Sequence, residues 1–345
     1  MTDVPGVRFR TATEADDLAI RSLLARSYAD NVKSAAPFTR WQYWANPFGD
    51  AVAVVAVHGE QVVAHWAAVG VPLRMAGARV PGAKGVDIAT DPDWRGRGLF
   101  SEVGARLMRA CREAGIRAVL SHPNPGSARG VARAGGAPVG RVAAYVHPLD
   151  DAWVASRFHV PIVMARSLRA RLFRVAKGDP AQVVPAVPAD IDGLWLRAGE
   201  PVRNGVIRDD AWWQWRYVQR PARPYTFVTV RRSGRLTGAA ALTVADRFGG
   251  RFGLVLEYLA IDREAAAGLT TGLAEAAADR GAVGLAQVAI PSSSAGRLAA
   301  AAGFVRLPRL LEPRPLRFLV TDPGGDSGAL TRQPWSMHWG DLDHL

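Results

Sequence analysis

Apolar and polar positions along this chain recur with the two periods that distinguish strands from helices. Residues 7–10 alternate as a half-buried strand does, and residues 51–57 and 61–75 are apolar runs separated by a His-Gly-Glu turn. Between the first strand and these two runs, residues 18–28 place apolar side chains at helical spacing after an acidic first turn. The pattern predicts a strand, a helix and a long β-hairpin, with a short second helix or turn at residues 38–44.

The next part of the pattern predicts strands that alternate with helices. Residues 83–90 form an apolar strand, and a helix is expected at 99–114. The short apolar run at 116–121 is typical of a buried parallel strand. A helix at 126–134 follows, ended by two glycines, and then a strand at 139–147. The predicted order is therefore β-α-α-β-β-β-α-β-α-β.

The turn DPDWRGRG, which precedes the helix expected at 99–114, carries the most informative chemistry. Pro92 stops the strand because it cannot donate a backbone hydrogen bond. Gly96 and Gly98 let the backbone bend tightly and approach a ligand. Arg95 and Arg97 add positive charge, and the helix that follows offers unpaired amides to an anion. This combination suits a pyrophosphate, although the Gly-Lys-Ser/Thr of a P-loop is absent.

The longer run ATDPDWRGRGLFSEV resembles the acyl-CoA-binding motif of the GNAT superfamily of N-acyltransferases. The family pattern is Gln/Arg-x-x-Gly-x-Gly/Ala; here Asp93 departs from the first position, and Gly96 and Gly98 match. The predicted order of elements extends the resemblance over residues 7–148. It implies an α/β (α+β) fold in which a mixed, mostly antiparallel sheet carries helices on both faces.

The resemblance also implies where an acyl-CoA would bind. In the family, the strand before the glycine turn splays from its neighbour, and the acyl-pantetheine lies in the opening. The residues carried over are Ala89 and Thr90 beside the pantetheine arm, Arg95, Gly96, Arg97, Gly98, Leu99 and Phe100 at the pyrophosphate, and Asn124 and Ser127 at the start of the fourth helix. We therefore expect acetyl-CoA as the acyl donor and no metal.

Transfer from a thioester to an amine needs a group that takes the proton of the amine and a donor for the oxyanion. His122, at a strand end, and Asp87, inside an apolar strand, are the candidate bases, and each also has a purely structural interpretation. A carboxylate at Asp87 requires a partner, for which Lys84 or an arginine is expected. The tyrosine acid of many family members is replaced here by Val131, which leaves Tyr145 as one substitute, or no acid at all.

The second half of the chain repeats features of the first. Residues 41–47 and 215–221 share the pattern Trp-x-Tyr-x-x-x-Pro, and a predicted hairpin follows each. The C-terminal half is therefore expected to be a second GNAT-like fold. Its cofactor turn lacks Arg-Gly-x-Gly, and Asp262 and Glu264 would repel a pyrophosphate, so no CoA is expected there.

These patterns predict a GNAT domain at residues 1–150, a connector at 151–180 and a degenerate GNAT-like domain at 181–345. In the connector, residues 161–177 place apolar side chains near helical spacing with arginines between them. A packed interdomain helix with a solvated arginine face is favoured over a membrane-surface helix. No membrane partner is therefore expected.

Two aromatic runs bear on the acceptor site. Trp41 and Tyr43 lie where GNAT folds admit the acceptor, so a substrate pocket and plain core packing are both open. The C-terminal run WSMHWGDLDHL is apolar for a terminus and is expected to dock back onto the body. The sharper alternative is that Asp341 or Asp343 reaches the acceptor amine.

Composition sets outer limits on these interpretations. With 345 residues, 49% of them hydrophobic, the chain can bury two ordinary cores. The single cysteine, Cys111, excludes an internal disulfide and, with no apolar export signal in view, fits the cytoplasm. A net charge of +12 would suit nucleic acid, but the arginines are scattered, and a polyanionic CoA would benefit equally.

The favoured function is an acetyl-CoA-dependent N-acetyltransferase that acts on a primary amine by direct attack, with the small-molecule or peptide acceptor left open. An aminoacyl-tRNA-dependent transferase of Fem type would keep the tandem fold and suit the positive charge, but such enzymes have lost the cofactor turn. A non-catalytic CoA-binding or scaffold protein is the third alternative, because the tyrosine acid is absent.

Overall fold

The computed structural model of the protein describes residues 4–28, 32–222, 224–312 and 316–342. The strands are β1 (Val7–Thr11), β2 (Val52–His58), β3 (Gln61–Met75), β4 (Ala78–Thr90), β5 (Ala118–Ser121), β6 (Ala137–Pro138), β7 (Ala143–Pro148), β8 (Ala181–Val184), β9 (Gly205–Val206), β10 (Thr226–Arg232), β11 (Arg235–Arg247), β12 (Gly250–Ala260), β13 (Gly284–Ala289), β14 (Val305–Arg306) and β15 (Leu319–Thr321). The helices are α1 (Asp17–Ser27), α2 (Ala36–Thr39), α3 (Leu99–Glu113), α4 (Ala128–Arg133), α5 (Asp151–Phe158), α6 (Ile162–Leu172), α7 (Ile191–Ala198), α8 (Asp210–Trp213), α9 (Arg263–Ala278), α10 (Ser294–Ala301) and α11 (Ser327–Thr331).

The predicted elements of the first half are present, with shifts at their ends. β3 has the predicted bounds, and α3 ends one residue before the expected 114 because Gly115, at φ +74°, turns the chain. The strand expected at 139–147 starts later, as β7 at Ala143, and the short β6 ends before residue 139. Gly140 lies between the two at φ +134°, a backbone conformation that glycine alone adopts readily.

The chain folds into two compact units, and each is assembled from separate stretches of sequence. Unit 1 takes the residues up to Gly140 together with Gln219–Ala222 and Arg317–Gln333, and unit 2 takes Arg141–Val218, Arg223–Leu316 and the residues from Pro334 onward. These limits differ from the boundaries expected at 150 and 180. The reason is strand pairing: β7 pairs within the sheet of unit 2, and β15 pairs within the sheet of unit 1.

The sheet of unit 1 has the strand order β1-β2-β3-β4-β5-β15-β6, in which only β4 and β5 run parallel among the described neighbours. Successive residues of a strand face opposite sides of the sheet. Trp66 of β3 packs beneath α3, where a Cβ at Gly104 would lie 2.7 Å from its ring. His65 faces the other side and stacks on Tyr43. Cys111 is buried in α3, and burial raises the pKa of its thiol to about 12, so it is inert at neutral pH.

Unit 2 repeats this arrangement. Its strand order is β14-β7-β13-β12-β11-β10-β8, and β12 and β13 are again the parallel neighbours among the described strands. Leu269 and Leu273 of α9 are fully buried in its core. The two mixed, mostly antiparallel sheets with their helices confirm the predicted α/β (α+β) fold and its duplication.

The C-terminal segment packs within unit 2. Its buried apolar side chains are Trp335, Met337, Trp339 and Leu342. Its backbone contacts include a bridge between Trp335 and Asn204, and it forms a 3₁₀ turn at Trp339–Asp341. Ser336, His338 and Asp341 are buried as well, so the alternation of apolar and polar residues in this segment does not mark a strand with one exposed face.

Candidate active site

β4 and β5 form a fork in the sheet of unit 1. The two parallel strands pair from Gly82 and Ala118 to Gly85 and Ser121. β5 ends at Ser121, whereas β4 continues to Thr90. On the β5 side, the edge of β4 beyond Gly85 has no strand partner in the described part of the chain. This edge can offer main-chain hydrogen bonds to a ligand, and it includes Ala89 and Thr90.

The glycine turn joins this free edge to α3. Gly96 and Gly98 have φ values of +78° and +79°, which explains why glycine stands at both positions. Gly98 is the N-cap of α3, and no side chain caps the helix there, so the amides of Leu99 and Phe100 lack a capping side chain. A Cβ at Gly96 would meet nothing within 4 Å, so the space beside the turn is open.

Arg95 and Arg97 lie along the same turn, and both are exposed. The Arg97 guanidinium lies 4.5 Å from the centre of the Trp94 ring and donates to the Asp93 carbonyl at 3.1 Å. Arg95 Nε donates to the Thr90 carbonyl at 3.4 Å. All these partners are neutral groups, so the contacts leave both positive charges uncompensated. Together with the start of α3, they form an environment that favours an anion.

The start of α4 carries Asn124 and Ser127. Asn124 Oδ1 accepts a hydrogen bond from the Ser127 backbone N–H at 3.0 Å, which fixes the first turn of the helix. Gly130 lets α4 approach α3 closely, because a Cβ there would collide with the Phe100 ring. Val131, at the position of the usual tyrosine acid, is fully buried in the core of unit 1. This helix therefore supports the glycine turn and supplies no acid at residue 131.

Asp87 occupies a β-bulge just beyond the fork. Across the β3–β4 pair, His65 lies opposite Ala89 and Ala67 lies opposite Val86, so β4 contains one extra residue between these positions. Asp87 has a φ of +53°, which is uncommon for a residue with a side chain. Such a backbone costs about 1–3 kcal/mol and persists only where surrounding contacts hold it.

Three side chains hold the Asp87 carboxylate, which is 1% exposed. Lys33 Nζ lies 2.7 Å from Oδ1, while Gln42 Nε2 and the Tyr43 hydroxyl donate to Oδ2 at 2.8 and 2.7 Å. The expected partner charge exists, but it is Lys33 rather than Lys84. The β-bulge at Asp87 interrupts the alternation of side chains along β4, so spacing in the sequence does not decide which lysine reaches the carboxylate. The contacts with these three donors offset the free-energy cost of burying the carboxylate.

Trp41 and Tyr43 both face the interior of unit 1. Trp41 packs against Phe38, with ring centroids 5.2 Å apart, and against the Arg220 guanidinium at 5.8 Å. Tyr43 instead reaches the bulge through its hydroxyl group. Tyr43 therefore adjoins the candidate site, whereas the contacts of Trp41 are those of a core residue.

His65 is a further residue of this site, and the sequence pattern alone does not single it out. Its Nδ1 lies 3.0 Å from the Asp87 carbonyl oxygen, and the neighbouring Ile88 carbonyl accepts from the Tyr28 hydroxyl. His65 is 1% exposed, and this burial lowers the pKa of its imidazole. Its Nε2 has no hydrogen-bond partner among the described residues. The available signal was its place in β3, which alternation puts on the face opposite Trp66.

His122 directly follows the last paired residue of β5, so it begins the second prong of the fork. It is half-buried, and its ring stacks on Phe318 with centroids 5.0 Å apart and planes 12° from parallel. The two candidate bases, His122 and Asp87, thus start from opposite prongs. Tyr145 instead lies in β7, in the core of unit 2, where burial raises the pKa of its phenol.

Unit 2 contains a counterpart of the Asp87 bulge. A register shift in the β11–β12 pair places an extra residue beside Glu257, whose Oε1 accepts from the Tyr217 hydroxyl at 2.8 Å. Tyr43 and Tyr217 both lie in π-helical turns, Arg40–Trp44 and Gln214–Val218. The repeated Trp-x-Tyr pattern therefore encodes one structural device: a π-helical tyrosine that donates to a carboxylate at a strand bulge.

Asp341 belongs to a buried charge cluster within unit 2 rather than to an open acceptor site. Both of its carboxylate oxygens lie 2.8 Å from Arg208 Nη2, and one accepts from the His338 amide at 2.9 Å. Arg208 Nε also donates to Glu257 at 2.6 Å. Although burial alone would raise it, Arg208 and His338 hold the pKa of Glu257 below its usual range. Asp343 lies outside the described residues.

The start of α9, which corresponds to α3, is closed by the protein itself. Asp262 is the N-cap, and its side chain accepts from the Ala265 amide at 2.9 Å. Arg232 pairs with Asp262 at 2.9 Å, with Asp179 at 2.7 Å and with Glu264 at 3.1 Å. The helix terminus is therefore capped by a carboxylate of the chain, and Arg232 is already paired.

Comparison with protein families identifies the domain that carries this site. Residues 8–136 match the family model described as an acetyltransferase (GNAT) domain. No curated protein matches the sequence significantly.

Solved structures show where else this fold occurs. A probable N-acyltransferase from Enterococcus faecalis aligns at TM-score 0.66 and 13% identity, over 93% of this chain and 74% of the other. A GCN5-related N-acetyltransferase from Anabaena variabilis aligns at TM-score 0.65 and 12% identity, over 92% and 73%. N-myristoyltransferase from Saccharomyces cerevisiae, with bound myristoyl-CoA, aligns at 0.59 and 13%, over 93% and 80%. At these identities, the likeness shows a shared fold.

Proposed function

We propose that this protein, a GNAT-superfamily chain with an acetyltransferase domain at residues 8–136, transfers the acetyl group of acetyl-CoA to a primary amine. The observation that carries the proposal is the free edge of β4 that runs through the Gly96–Gly98 turn into the uncapped start of α3. The edge suits the amides of a pantetheine arm, and the turn with Arg95 and Arg97 suits a pyrophosphate.

The residues proposed to hold the cofactor are those that line this path. They are Ala89, Thr90, Arg95, Gly96, Arg97, Gly98, Leu99 and Phe100, with Asn124 and Ser127 at the start of α4. The myristoyl-CoA in the yeast neighbour belongs to that protein; for this chain we propose acetyl as the acyl group. The acceptor class is a small molecule or peptide with a primary amine.

We assign proton acceptance to His122 and a positioning role to Asp87. In the reaction, the amine nitrogen bonds to the thioester carbon, the CoA thiolate leaves, and the amine loses a proton. Histidine ordinarily changes charge near neutrality, which suits this transfer. The Asp87 carboxylate is already engaged by Lys33, Gln42 and Tyr43, so it is better placed to fix the bulge than to accept a proton.

His122→Gln tests this assignment. We expect kcat to fall by about a hundredfold, the typical contribution of a general base, and the acidic limb of its pH profile to disappear. Asp87→Asn should lower kcat without removing that limb, because His122 stays in place. A His122→Gln enzyme with an unchanged pH profile would assign the proton to another group.

Calorimetric titration of acetyl-CoA into wild type and Gly96→Glu tests the proposed function itself. The added carboxylate lies where the pyrophosphate is proposed to bind, so affinity should fall by roughly tenfold to a hundredfold. The matched control is Gly115→Glu, at the other end of α3. Gly115 also has a positive φ (+74°) and open space at its Cβ position. Equal affinity losses in both variants would indicate a general effect of strain, and no binding to wild type would refute the proposal.

The tRNA-dependent alternative is tested in the same samples. The net charge of +12 is the only feature that favours it. This alternative would replace the present proposal if the protein bound tRNA but not acetyl-CoA. The tRNA binding should then weaken steeply with salt and be unchanged in Gly96→Glu.

A further inference from the structure

Residues 158–172 contain a concentration of exposed apolar side chains. Of the thirteen large hydrophobic side chains that are exposed in the described part of the chain, six lie in these fifteen positions. They are Phe158, Ile162, Val163, Met164, Leu168 and Leu172. Single exposed hydrophobic residues are ordinary, but a contiguous group marks a binding surface.

Three of these residues form a stripe along α6. Met164, Leu168 and Leu172 are spaced four apart, so they lie one above another on the helix, and they are 58, 41 and 52% exposed. The helix is held along another edge, where Ala165 is fully buried and Arg169 Nε lies 2.5 Å from Asp151 Oδ1. The sequence pattern favours a packed interdomain helix with a solvated arginine face. In the structure, the apolar stripe also faces solvent.

The charge around the stripe is strongly positive. Between residues 151 and 177 there are six basic residues and one acidic residue, Asp151. Arg166 and Arg169 both pair with Asp151, at 3.2 and 2.5 Å. The other four basic side chains are exposed: Arg157, Arg171, Arg174 and Lys177. Long basic side chains can keep their charge in the headgroup region while their stems cover apolar surface.

We propose that α6 docks onto the surface of a membrane that contains anionic lipid. The stripe would enter the boundary between headgroups and acyl chains, and the arginines would meet lipid phosphates. The helix has 11 residues and a length of about 16 Å, so it lies on a bilayer about 30 Å thick in its core rather than crossing it. None of the described helices is long and apolar enough to span a membrane.

A second copy of the chain fits this surface less well than a membrane does. A two-fold interface would bring the same patch of both copies together. Six basic residues on each side would then face their like charges, with a single acidic residue to offset them. An anionic lipid surface supplies the missing negative charge and accepts the apolar stripe. The inference goes beyond acetyl transfer and does not depend on it.

Vesicle flotation tests the apolar half of this proposal. The variant Met164→Gln/Leu168→Gln/Leu172→Gln keeps the net charge, and its exposed positions leave folding intact. We expect its partition into phosphatidylglycerol-containing vesicles to fall by about tenfold or more, because binding scales with buried apolar area. The matched control changes three exposed apolar residues on separate elements: Leu18→Gln/Leu196→Gln/Leu310→Gln, at 67, 75 and 98% exposure.

The electrostatic half is tested with a second pair of variants. Arg171→Gln/Arg174→Gln should weaken binding several-fold, whereas Arg109→Gln/Arg112→Gln, two exposed arginines of α3 with the same change in net charge, should not. Wild type should bind vesicles of phosphatidylcholine alone weakly, and salt at about 1 M, where the Debye length is about 3 Å, should release it from anionic vesicles.

Four results would overturn the proposal. The first is no flotation of the wild type, and the second is an equal loss in a test variant and its control. The third is an oligomer, seen by light scattering, that only the stripe variant dissociates, which would assign the stripe to a second copy. Saturable capture of an acidic protein by the wild type without vesicle binding would assign it to a protein partner.

Discussion

His65 is held in one tautomer by the backbone at the bulge of β4. A carbonyl oxygen can only accept, so the 3.0 Å contact with Asp87 requires the hydrogen on Nδ1. Nε2 is then left with a lone pair and no partner in the described part of the chain. Burial disfavours the charged imidazolium and lowers the pKa of this group from its ordinary value of 6.5. The fold around Asp87 therefore depends on a neutral histidine.

This dependence predicts that the stability of the fold falls on acidification at pH values above those at which carboxylates titrate. Because the folded-state pKa of His65 is depressed, its contribution to stability is fully present above pH 6.5 and is lost as pH falls below that value. The slope is at most about 1.4 kcal/mol per pH unit. In His65→Gln, the melting temperature should therefore fall less between about pH 7 and pH 5 than in wild type.

Calorimetric melting curves of both proteins across this range measure the difference. His147, whose pKa burial also lowers, is present in both proteins and cancels from the comparison. Parallel pH dependence in the two proteins would show that His65 is not the group that titrates.

At the scale of elements, the π-helical tyrosine with its bulge carboxylate occurs once in each unit. Tyr43 donates to Asp87 at 2.7 Å and Tyr217 donates to Glu257 at 2.8 Å. The surroundings differ: Asp87 adjoins a free strand edge beyond the fork, whereas the backbone at Gly340 packs against the Glu257 carboxylate. The device therefore lies beside an unpaired strand edge in unit 1, whereas in unit 2 the chain itself packs against it.

Removing the two hydroxyl groups separates a structural role from a catalytic one. Tyr43→Phe and Tyr217→Phe each leave a buried carboxylate short of one donor, at a cost of about 1–3 kcal/mol in the free energy of unfolding. We expect both variants to melt earlier, but only Tyr43→Phe to lose acetyl transfer at temperatures where both are folded. Steady-state rates beside melting curves test this, and equal loss of activity in both would place Tyr43 outside the active site.

Local pattern was sufficient to predict most of these elements. The bounds of β3, the start of α3 and the paired Trp-x-Tyr segments follow from periodicity, glycine positions and repetition. The partner of Asp87 did not follow, because Lys33 is 54 residues away in sequence and reaches Asp87 only in the folded chain. His65 was missed for the same reason: its role depends on the bulge in a neighbouring strand, and a lone histidine in an apolar run carries no signal of that.

At the scale of the whole molecule, each sheet is completed by a strand from a distant part of the sequence. β15 lies between β5 and β6 in unit 1, and β7 lies between β13 and β14 in unit 2. The run at 139–147 predicts a strand, most of which is present as β7, but the pattern does not indicate which sheet the strand joins. Strand pairing is decided by contacts between residues far apart in sequence, so a boundary drawn from the order of predicted elements placed β7 in the first domain.

The duplicated fold predicts a single donor site per chain. In unit 1, the glycine turn is open at Gly96 and no side chain caps α3. In unit 2, Asp262 caps α9, and Arg232 is engaged by Asp262 and two further carboxylates. A polyanionic CoA would meet repulsion there rather than a positively charged pocket.

Native mass spectrometry with acetyl-CoA, supported by the calorimetric stoichiometry, measures this number. Wild type should bind one molecule per chain, and Gly96→Glu should bind it only at a roughly tenfold to hundredfold higher concentration. Asp262→Ala/Glu264→Ala, which removes the repelling acids, should still bind only one, because the start of α9 lacks the two glycines that let a backbone wrap a pyrophosphate. Two molecules on the wild type, or one retained by Gly96→Glu with wild-type affinity, would mean that unit 2 keeps a working cofactor site of its own.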